Sequence, residues 1–176
     1  MSQASARWAV ILVLLGGSRM ESFIPTARCR GSQSRGHLFL SGKARMTVND
    51  SINGAVRRLA RPACQRLFTD FTDSDGRALS ETLTTWGKSP ADALVALDFV
   101  DGSESPQCRD ETTAAYTTPR SRVIYVCGAR FAELFARKTT GGEVLLIHEL
   151  LHALGLSENP PTSAQITSAV YTRCGG

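Results

Sequence analysis

Two histidines and a glutamate near the end of the chain have the types and spacing of a metal site. His148 and His152 lie four residues apart, and Glu149 directly follows the first of them. On an α-helix, which turns about 100° per residue, His152 falls about 40° and Glu149 about 100° from His148. Side chains at this spacing are neighbours on the helix surface, so both imidazoles can reach one ion. The spacing predicts a site for one Zn²⁺ ion, because zinc favours imidazole nitrogen.

Glu149 lies beside the predicted ligand pair, where it could do chemistry. Zn²⁺ lowers the pKa of a water that it binds towards about 7 and polarises a carbonyl group. A neighbouring carboxylate can take the proton of that water, so Glu149 is the predicted general base. The alternative is an accidental pair of exposed histidines. The chain has three histidines and two of them are in this motif, which favours the metal.

Glu158 is the candidate third ligand. Catalytic zinc sites use three protein ligands, and two His with one Glu is a common set. Gly155 lies between His152 and Glu158 and would let the chain turn back towards the ion. The alternative is a solvated carboxylate in the loop before Asn159.

A helix with one apolar face is predicted to carry the two histidines. Thr140 and Glu143 match a capping box, so the helix is expected over residues 141–154, with Gly155 ending it in a left-handed conformation. Five apolar side chains fall between about 200° and 320° from His148 on the helical wheel. They are Val144, Ile147, Leu150, Leu151 and Leu154.

The domain as a whole is predicted to be α+β, with a short sheet and three or four helices. Apolar and β-branched runs predict strands at residues 94–100 and 122–127. Apolar side chains recur every three or four positions between residues 51 and 68, which predicts a helix that Pro62 kinks or breaks. Aspartates and a glycine in residues 70–76 predict a turn, since their spacing does not match an EF-hand calcium loop.

Two further helices are expected on either side of the metal helix. The first covers residues 129–138. The second follows another capping box, formed by Thr162 and Gln165, and runs towards Cys174.

Charge is unevenly distributed and separates the start of the chain from the rest. The first 46 residues hold seven of the 20 basic side chains and one of the 16 acidic ones. The remainder is slightly acidic and has no basic stripe with interleaved aromatic residues, so nucleic-acid binding is not expected.

An export signal is predicted at residues 1–18, where Arg7 precedes an apolar run of about ten residues. That run is too short to cross a bilayer as a helix, so no membrane span is expected in the mature protein. Residues 19–46 are predicted to be a linker or pro-segment and residues 47–176 the domain. The alternative is an over-extended gene start, with Met20 or Met46 as the first residue.

Four of the five cysteines lie in the predicted domain, and Cys29 precedes it. An even number without a CxxC pair favours disulfides over a thiolate zinc site. Three pairings are open, and the one predicted joins Cys127 to Cys174 and Cys64 to Cys108. Disulfides persist in oxidising compartments, which fits a protein that is secreted, periplasmic or at the cell surface.

The segment from His148 to Glu158 resembles the motif of the zincin metallopeptidases. Gly155, three residues after His152, resembles the extension found in metzincins. The chain departs from metzincins in two ways: Glu158 stands where they carry His or Asp, and no methionine follows Met46 to form their Met-turn. It also differs from gluzincins, whose ligand glutamate lies further on, on another helix.

A looser likeness to small exported bacterial zincin-like proteins extends from Cys64 to Cys174. The resemblance implies a mixed sheet packed on helices, with the metal helix as the floor of a substrate cleft. It also implies an upstream edge strand that aligns an extended peptide, a part that Val123–Val126 could play. The implied function is zinc-dependent hydrolysis of peptide bonds outside the cytoplasm, by a monomer acting on a peptide or protein substrate.

Two other functions remain open from the sequence. The main alternative is an exported zinc-binding or interaction module that binds the metal but catalyses no reaction. It is kept open because a small domain has few residues from which to build substrate-binding subsites. The second is a structural helical protein in which the motif is accidental. No GxSxG turn and no phosphate-binding glycine-rich loop competes with the metal site.

Overall fold

A computed structural model describes residues 37–175, in which a four-stranded sheet is combined with eight α-helices. The strands are β1 (Leu38–Phe39), β2 (Asp98–Asp101), β3 (Ala115–Tyr116) and β4 (Val123–Val126). The helices are α1 (Gly42–Leu59), α2 (Pro62–Gln65), α3 (Leu67–Asp70), α4 (Leu79–Trp86), α5 (Pro90–Val95), α6 (Gly128–Arg137), α7 (Thr139–Ala153) and α8 (Ser163–Cys174). The expected α+β class is confirmed, but the expected number of three or four helices is wrong, since the described residues form eight.

The sheet has the order β1-β2-β4-β3 and packs on the helices with one face. β1, β2 and β4 are parallel, and β3 is antiparallel to β4. Successive side chains of a strand point to opposite faces. Phe99, Ile124 and Val126 are buried, whereas Tyr116 and Tyr125 stack on the other face with ring centroids 5.0 Å apart.

The expectation that Val123–Val126 forms an edge strand is wrong. β4 pairs with β2 on one side and with β3 on the other, so both of its edges are hydrogen-bonded. The edge strands are β1 and β3, and β3 contacts α7. Strand propensity predicts that a segment is extended, but the path of the rest of the chain determines which strands pair with it.

The folded part of the chain begins earlier than expected. β1 and the start of α1 lie within residues 19–46, which were predicted to be a linker, and α1 begins at Gly42. The first half of α1 shows little apolar periodicity in the sequence. Two of its buried residues, Thr47 and Ser51, are polar, whereas the apolar Met46 is 65% exposed. The predicted signal and Cys29 lie outside the described residues.

The remaining elements match the expectations at most positions. The break at Pro62 is confirmed, since α1 ends before it and Pro62 is the first residue of α2. The strand predicted over residues 94–100 is partly wrong: α5 occupies its beginning and β2 starts at Asp98. Ser89 accepts a hydrogen bond from the amide of Asp92, and Pro90 follows, so a helix start precedes the apolar run.

The two disulfides join Cys64 to Cys174 and Cys108 to Cys127, so the predicted pairing is wrong. The packing of α2 against α8 brings the first pair together, which sequence spacing cannot reveal. Both bridges indicate an oxidising, extracellular environment. Among the described residues, none of the helices has the length and apolar character needed to cross a membrane.

Candidate metal centre

α7 carries the two histidines through the middle of the domain. It packs against α1, α6 and α8 and also contacts α5 and β3. It is therefore buried around most of its circumference: His148 is 4%, Glu149 4% and His152 6% exposed. The wheel predicted a buried face and an opposite face for the ligands, but that opposite face is covered as well.

The capping box predicted for Thr140 and Glu143 is wrong. Lys138 precedes the first helical residue, and its side chain makes no capping hydrogen bond. Glu143 instead accepts a hydrogen bond from Arg58 of α1, and each of the two side chains is 13% exposed. A mostly buried carboxylate gains more from a guanidinium than from a backbone amide, so the tertiary ion pair replaces the local cap.

The chain turns back after α7, as predicted, and brings Glu158 to the histidines. Gly155 has a φ of +119°, and the amide of Leu156 donates to the carbonyl of Leu151 at 3.0 Å. A Cβ atom at Gly155 would lie 3.0 Å from Cβ of Asp73, so both the backbone angle and the close approach require glycine here.

The ligand atoms of three side chains converge on one point. The Nε2 atoms of His148 and His152 are 2.9 Å apart. Oε1 of Glu158 lies 3.3 Å from Nε2 of His152 and 3.8 Å from Nε2 of His148. This group could hold a metal ion.

The spacing of these three atoms fits a small divalent ion. The circle that passes through them has a radius of about 2.0 Å, close to the distances at which zinc binds nitrogen and carboxylate oxygen. Two neutral imidazoles and one carboxylate are also a donor set that transition metals accept. The side chain of Glu158 is 39% exposed, so the cluster is buried on the α7 side and open on the other.

The second nitrogen of each imidazole has a partner. Nδ1 of His152 is 2.7 Å from the carbonyl oxygen of Leu156, and Nδ1 of His148 is 2.9 Å from Oγ1 of Thr167 on α8. Such outer contacts fix the orientation of a ligand ring and direct its other nitrogen at the metal. Both Nε2 atoms accordingly face the cluster.

Burial keeps the imidazole of His148 neutral. Loss of contact with water, followed by the nearby charge of His152, lowers the pKa of His148 to about 4. Only a neutral imidazole has a free lone pair for a metal, so a depressed pKa favours ligation at neutral pH.

Glu149 lies next to the cluster and is itself buried. Burial raises the pKa of Glu149 to about 8, with a further increase from the charge of Glu158, against a hydrogen bond from the amide of Thr117. A cation at the three ligand atoms would lower the pKa of Glu149, because a nearby positive charge favours the ionised carboxylate. Glu149 is thus a buried carboxyl group whose protonation depends on the charge beside it.

A loop anchored to the end of α7 forms the neighbouring wall. The amide of Arg120 donates to the carbonyl of His152 at 3.1 Å. The guanidinium of Arg120 bonds the carboxylate of Asp73, which belongs to the turn predicted at residues 70–76. This turn is confirmed, with Asp73 accepting hydrogen bonds from the amides of Asp75 and Arg77.

Three participants in this centre were not predicted from the sequence: Thr117, Leu156 and Thr167. Leu156 could have been found, since its carbonyl is four residues past His152 on the predicted turn. Thr117 and Thr167 have no local signal, because they approach from the segment after β3 and from α8.

No protein-family model matches the chain, and neither the curated proteins nor the solved structures contain a match to it. The function is therefore argued from the geometry and chemistry of the metal centre.

Proposed function

We propose that this protein is an exported zinc-dependent metallopeptidase of the zincin type. The observation that carries the proposal is the convergence of His148, His152 and Glu158 beside the buried carboxyl group of Glu149. A purely structural metal site is usually closed by four protein ligands, whereas three ligands leave a position for a reactant. The described part of the chain brings three such side chains together.

Zinc is the metal that this donor set favours. Two imidazole nitrogens and one carboxylate oxygen form a ligand set that recurs in catalytic zinc sites. A bound zinc ion supplies Lewis acidity, which acidifies water and polarises a peptide carbonyl. Other transition ions accept the same ligands, so the choice of zinc rests on this chemistry alone.

Glu149 is the proposed general base. It lies on the same helix as the two histidines and is oriented by the amide of Thr117. Its buried carboxylate would take a proton from the attacking water and deliver it to the nitrogen of the departing amine. Burial makes Glu149 a stronger base than an exposed glutamate, because a buried carboxylate binds a proton more tightly.

A peptide could reach the centre from the side on which Glu158 is exposed. β3 is an edge strand beside α7, and an extended peptide can add to a free strand edge through main-chain hydrogen bonds. A cleft of about 490 Å³ lies next to the ligand loop and is lined in part by Phe71, Leu156 and Pro160. Its lining also includes Asp70, Asp73 and Gln165, so the cleft offers a substrate both apolar and polar contacts.

The test measures metal content and hydrolysis separately. The purified chain should contain about one zinc per molecule by elemental mass spectrometry and should cleave a denatured protein substrate. His148→Ala should lose both properties. Glu149→Gln should keep the zinc and lose at least about 100-fold in rate, since a general base contributes about 10²–10⁴-fold.

Glu133→Gln is the matched control, because Glu133 is an exposed glutamate of α6. It should retain both zinc and activity. A zinc-containing protein that cleaves no peptide or denatured protein would refute the peptidase and leave an exported zinc-binding module. Absence of metal from the wild type after incubation with zinc would refute both.

A further inference from the structure

Thr167 reaches the metal centre from a helix other than the one that carries the histidines. Its Oγ1 is 2.9 Å from Nδ1 of His148. The position of α8 is fixed at both ends, by the capping box of Thr162 and Gln165 and by the Cys64–Cys174 disulfide. The hydroxyl of Thr167 is therefore held in place by tertiary structure.

The partner of Nδ1 fixes one proton position on His152. A carbonyl oxygen can only accept, so Nδ1 of His152 carries the proton donated to Leu156. Nε2 of His152 then has a lone pair. Nε2 of His148 lies 2.9 Å from it, and the donor and acceptor in this contact depend on the tautomer of His148. When Nε2 of His148 carries the proton of the neutral ring, Nδ1 is bare and accepts from the hydroxyl of Thr167.

Ligation requires the other tautomer of His148. Its Nε2 must present a lone pair, so the single proton of the neutral ring must reside on Nδ1. Nδ1 then donates, and its partner must accept. A hydroxyl group does both, because it can rotate to donate to one tautomer and accept from the other. A carbonyl or carboxylate oxygen in place of this hydroxyl would accept from a protonated Nδ1 but could not donate to a bare Nδ1.

We propose that Thr167 is a positioning residue for the metal, whose hydroxyl orients the His148 ring and is a partner to both of its tautomers. The inference rests on the metal site of the proposed function and adds a residue outside the motif. Partners of this kind change metal affinity by about 10–100-fold when removed. Thr167 thereby couples the packing of α8 to the affinity of the α7 ligands.

The experiment compares Zn²⁺ dissociation constants, measured by competition with a chelator, for the full chain and its variants. Thr167→Val keeps the shape and removes the hydroxyl, and should weaken Zn²⁺ binding about 10–100-fold. Thr167→Ser restores the hydroxyl and should recover most of the affinity. Thr172→Val is the matched control. Thr172 also lies on α8, and its hydroxyl donates a hydrogen bond to the carbonyl of Ser168 in the same helix.

The outcomes distinguish the inference from the proposed function. A wild type that binds no Zn²⁺ refutes the metal centre itself. A wild type that binds, with Thr167→Val binding equally well, overturns the role of Thr167 alone, as does a serine variant as weak as the valine variant. Circular dichroism of each metal-free variant checks folding. If Thr167→Val is unfolded, Thr167→Ala and Thr172→Ala make the same comparison.

Discussion

The three candidate ligands are held with different rigidity. His148 and His152 are buried on a helix and each has a partner for Nδ1. Glu158 lies on the loop after α7, with its side chain 39% exposed. The histidines therefore form a preorganised pair, and Glu158 closes the site from the solvent side.

Glu158→Ala tests whether this carboxylate is a ligand. We expect Zn²⁺ affinity to fall by about tenfold or more, because losing a ligand costs at least as much as losing an outer partner. Chelator competition measures the change. Glu104→Ala, which removes an exposed loop glutamate, is the control and should bind as the wild type does. Equal affinity in both variants would make Glu158 a solvated loop carboxylate.

Asp73 is the other residue whose ionisation matters near the site. Burial acts to raise the pKa of Asp73, but hydrogen bonds from the amide and guanidinium of Arg77 and the amide of Asp75 outweigh it. The pKa of this carboxyl in the folded protein is therefore below its ordinary value. The resulting stability is present above the unfolded pKa and is lost as the pH falls through the folded pKa.

Asp73→Asn should accordingly lower the melting temperature at neutral pH. It should also reduce the loss of melting temperature between about pH 5 and pH 2, because the amide does not titrate. Thermal unfolding followed by circular dichroism across this pH range measures both effects. Asp50→Asn, an exposed aspartate of α1, is the control. Parallel acid profiles for wild type and Asp73→Asn would contradict the assignment.

At the scale of elements, the approach of α1 to α7 positions the helix that carries the two histidines. Gly54 of α1 faces Glu143 of α7 so closely that a Cβ atom there would lie 2.0 Å from Oε1 of Glu143. Arg58, one turn further along α1, bonds the same carboxylate. The missing side chain at Gly54 thus makes room for a nearly buried ion pair between the two helices.

Gly54→Ala distinguishes this packing from intrinsic helix propensity. Propensity alone predicts a gain of about 1 kcal/mol, since alanine is the better helix former. The contact with Glu143 predicts instead a loss of about 1–3 kcal/mol in the free energy of unfolding, as for an overpacked core. In a Glu143→Ala background the same substitution should become neutral or stabilising. Denaturant unfolding of the wild type, both single variants and the double variant measures this double-mutant cycle. A Gly54→Ala variant more stable than the wild type would refute the packing argument.

Helix and strand locations were predicted well where local signals act alone. β4, α6 and the capping box of α8 agree with their patterns. The failures occur where a tertiary contact overrides the pattern, as at Glu143, or where the buried side of a helix is small and polar, as at the start of α1. In both cases the energy that decides the structure comes from residues distant in sequence.

At the scale of the molecule, the two disulfides close loops of very different length. Cys64–Cys174 spans a sequence separation of 110 and joins α2 to the end of α8. Cys108–Cys127 spans 19 and closes the segment that contains β3. In the chain-entropy model a bridge stabilises more when its loop is longer, about 4.7 kcal/mol for 100 residues against about 3 kcal/mol for 15.

Replacing Cys64 and Cys174 by serine should therefore destabilise the protein more than replacing Cys108 and Cys127. We expect a difference of about 1–2 kcal/mol in the free energy of unfolding, measured in denaturant. Each double variant serves as the control for the other, because both remove one bridge and introduce two serines. The opposite order would show that native contacts, and not loop length, dominate the contribution of the bridges.

The close approach of His148 and His152 is determined locally, because four-residue spacing on a helix brings side chains together whatever surrounds it. The turn at Gly155 and the candidacy of Glu158 follow from the same short segment. Tertiary structure decides everything that reaches this helix from elsewhere. The Thr167 and Thr117 contacts, the edge position of β3 and the disulfide pairs depend on which distant elements pack together, and packing is a property of the whole chain.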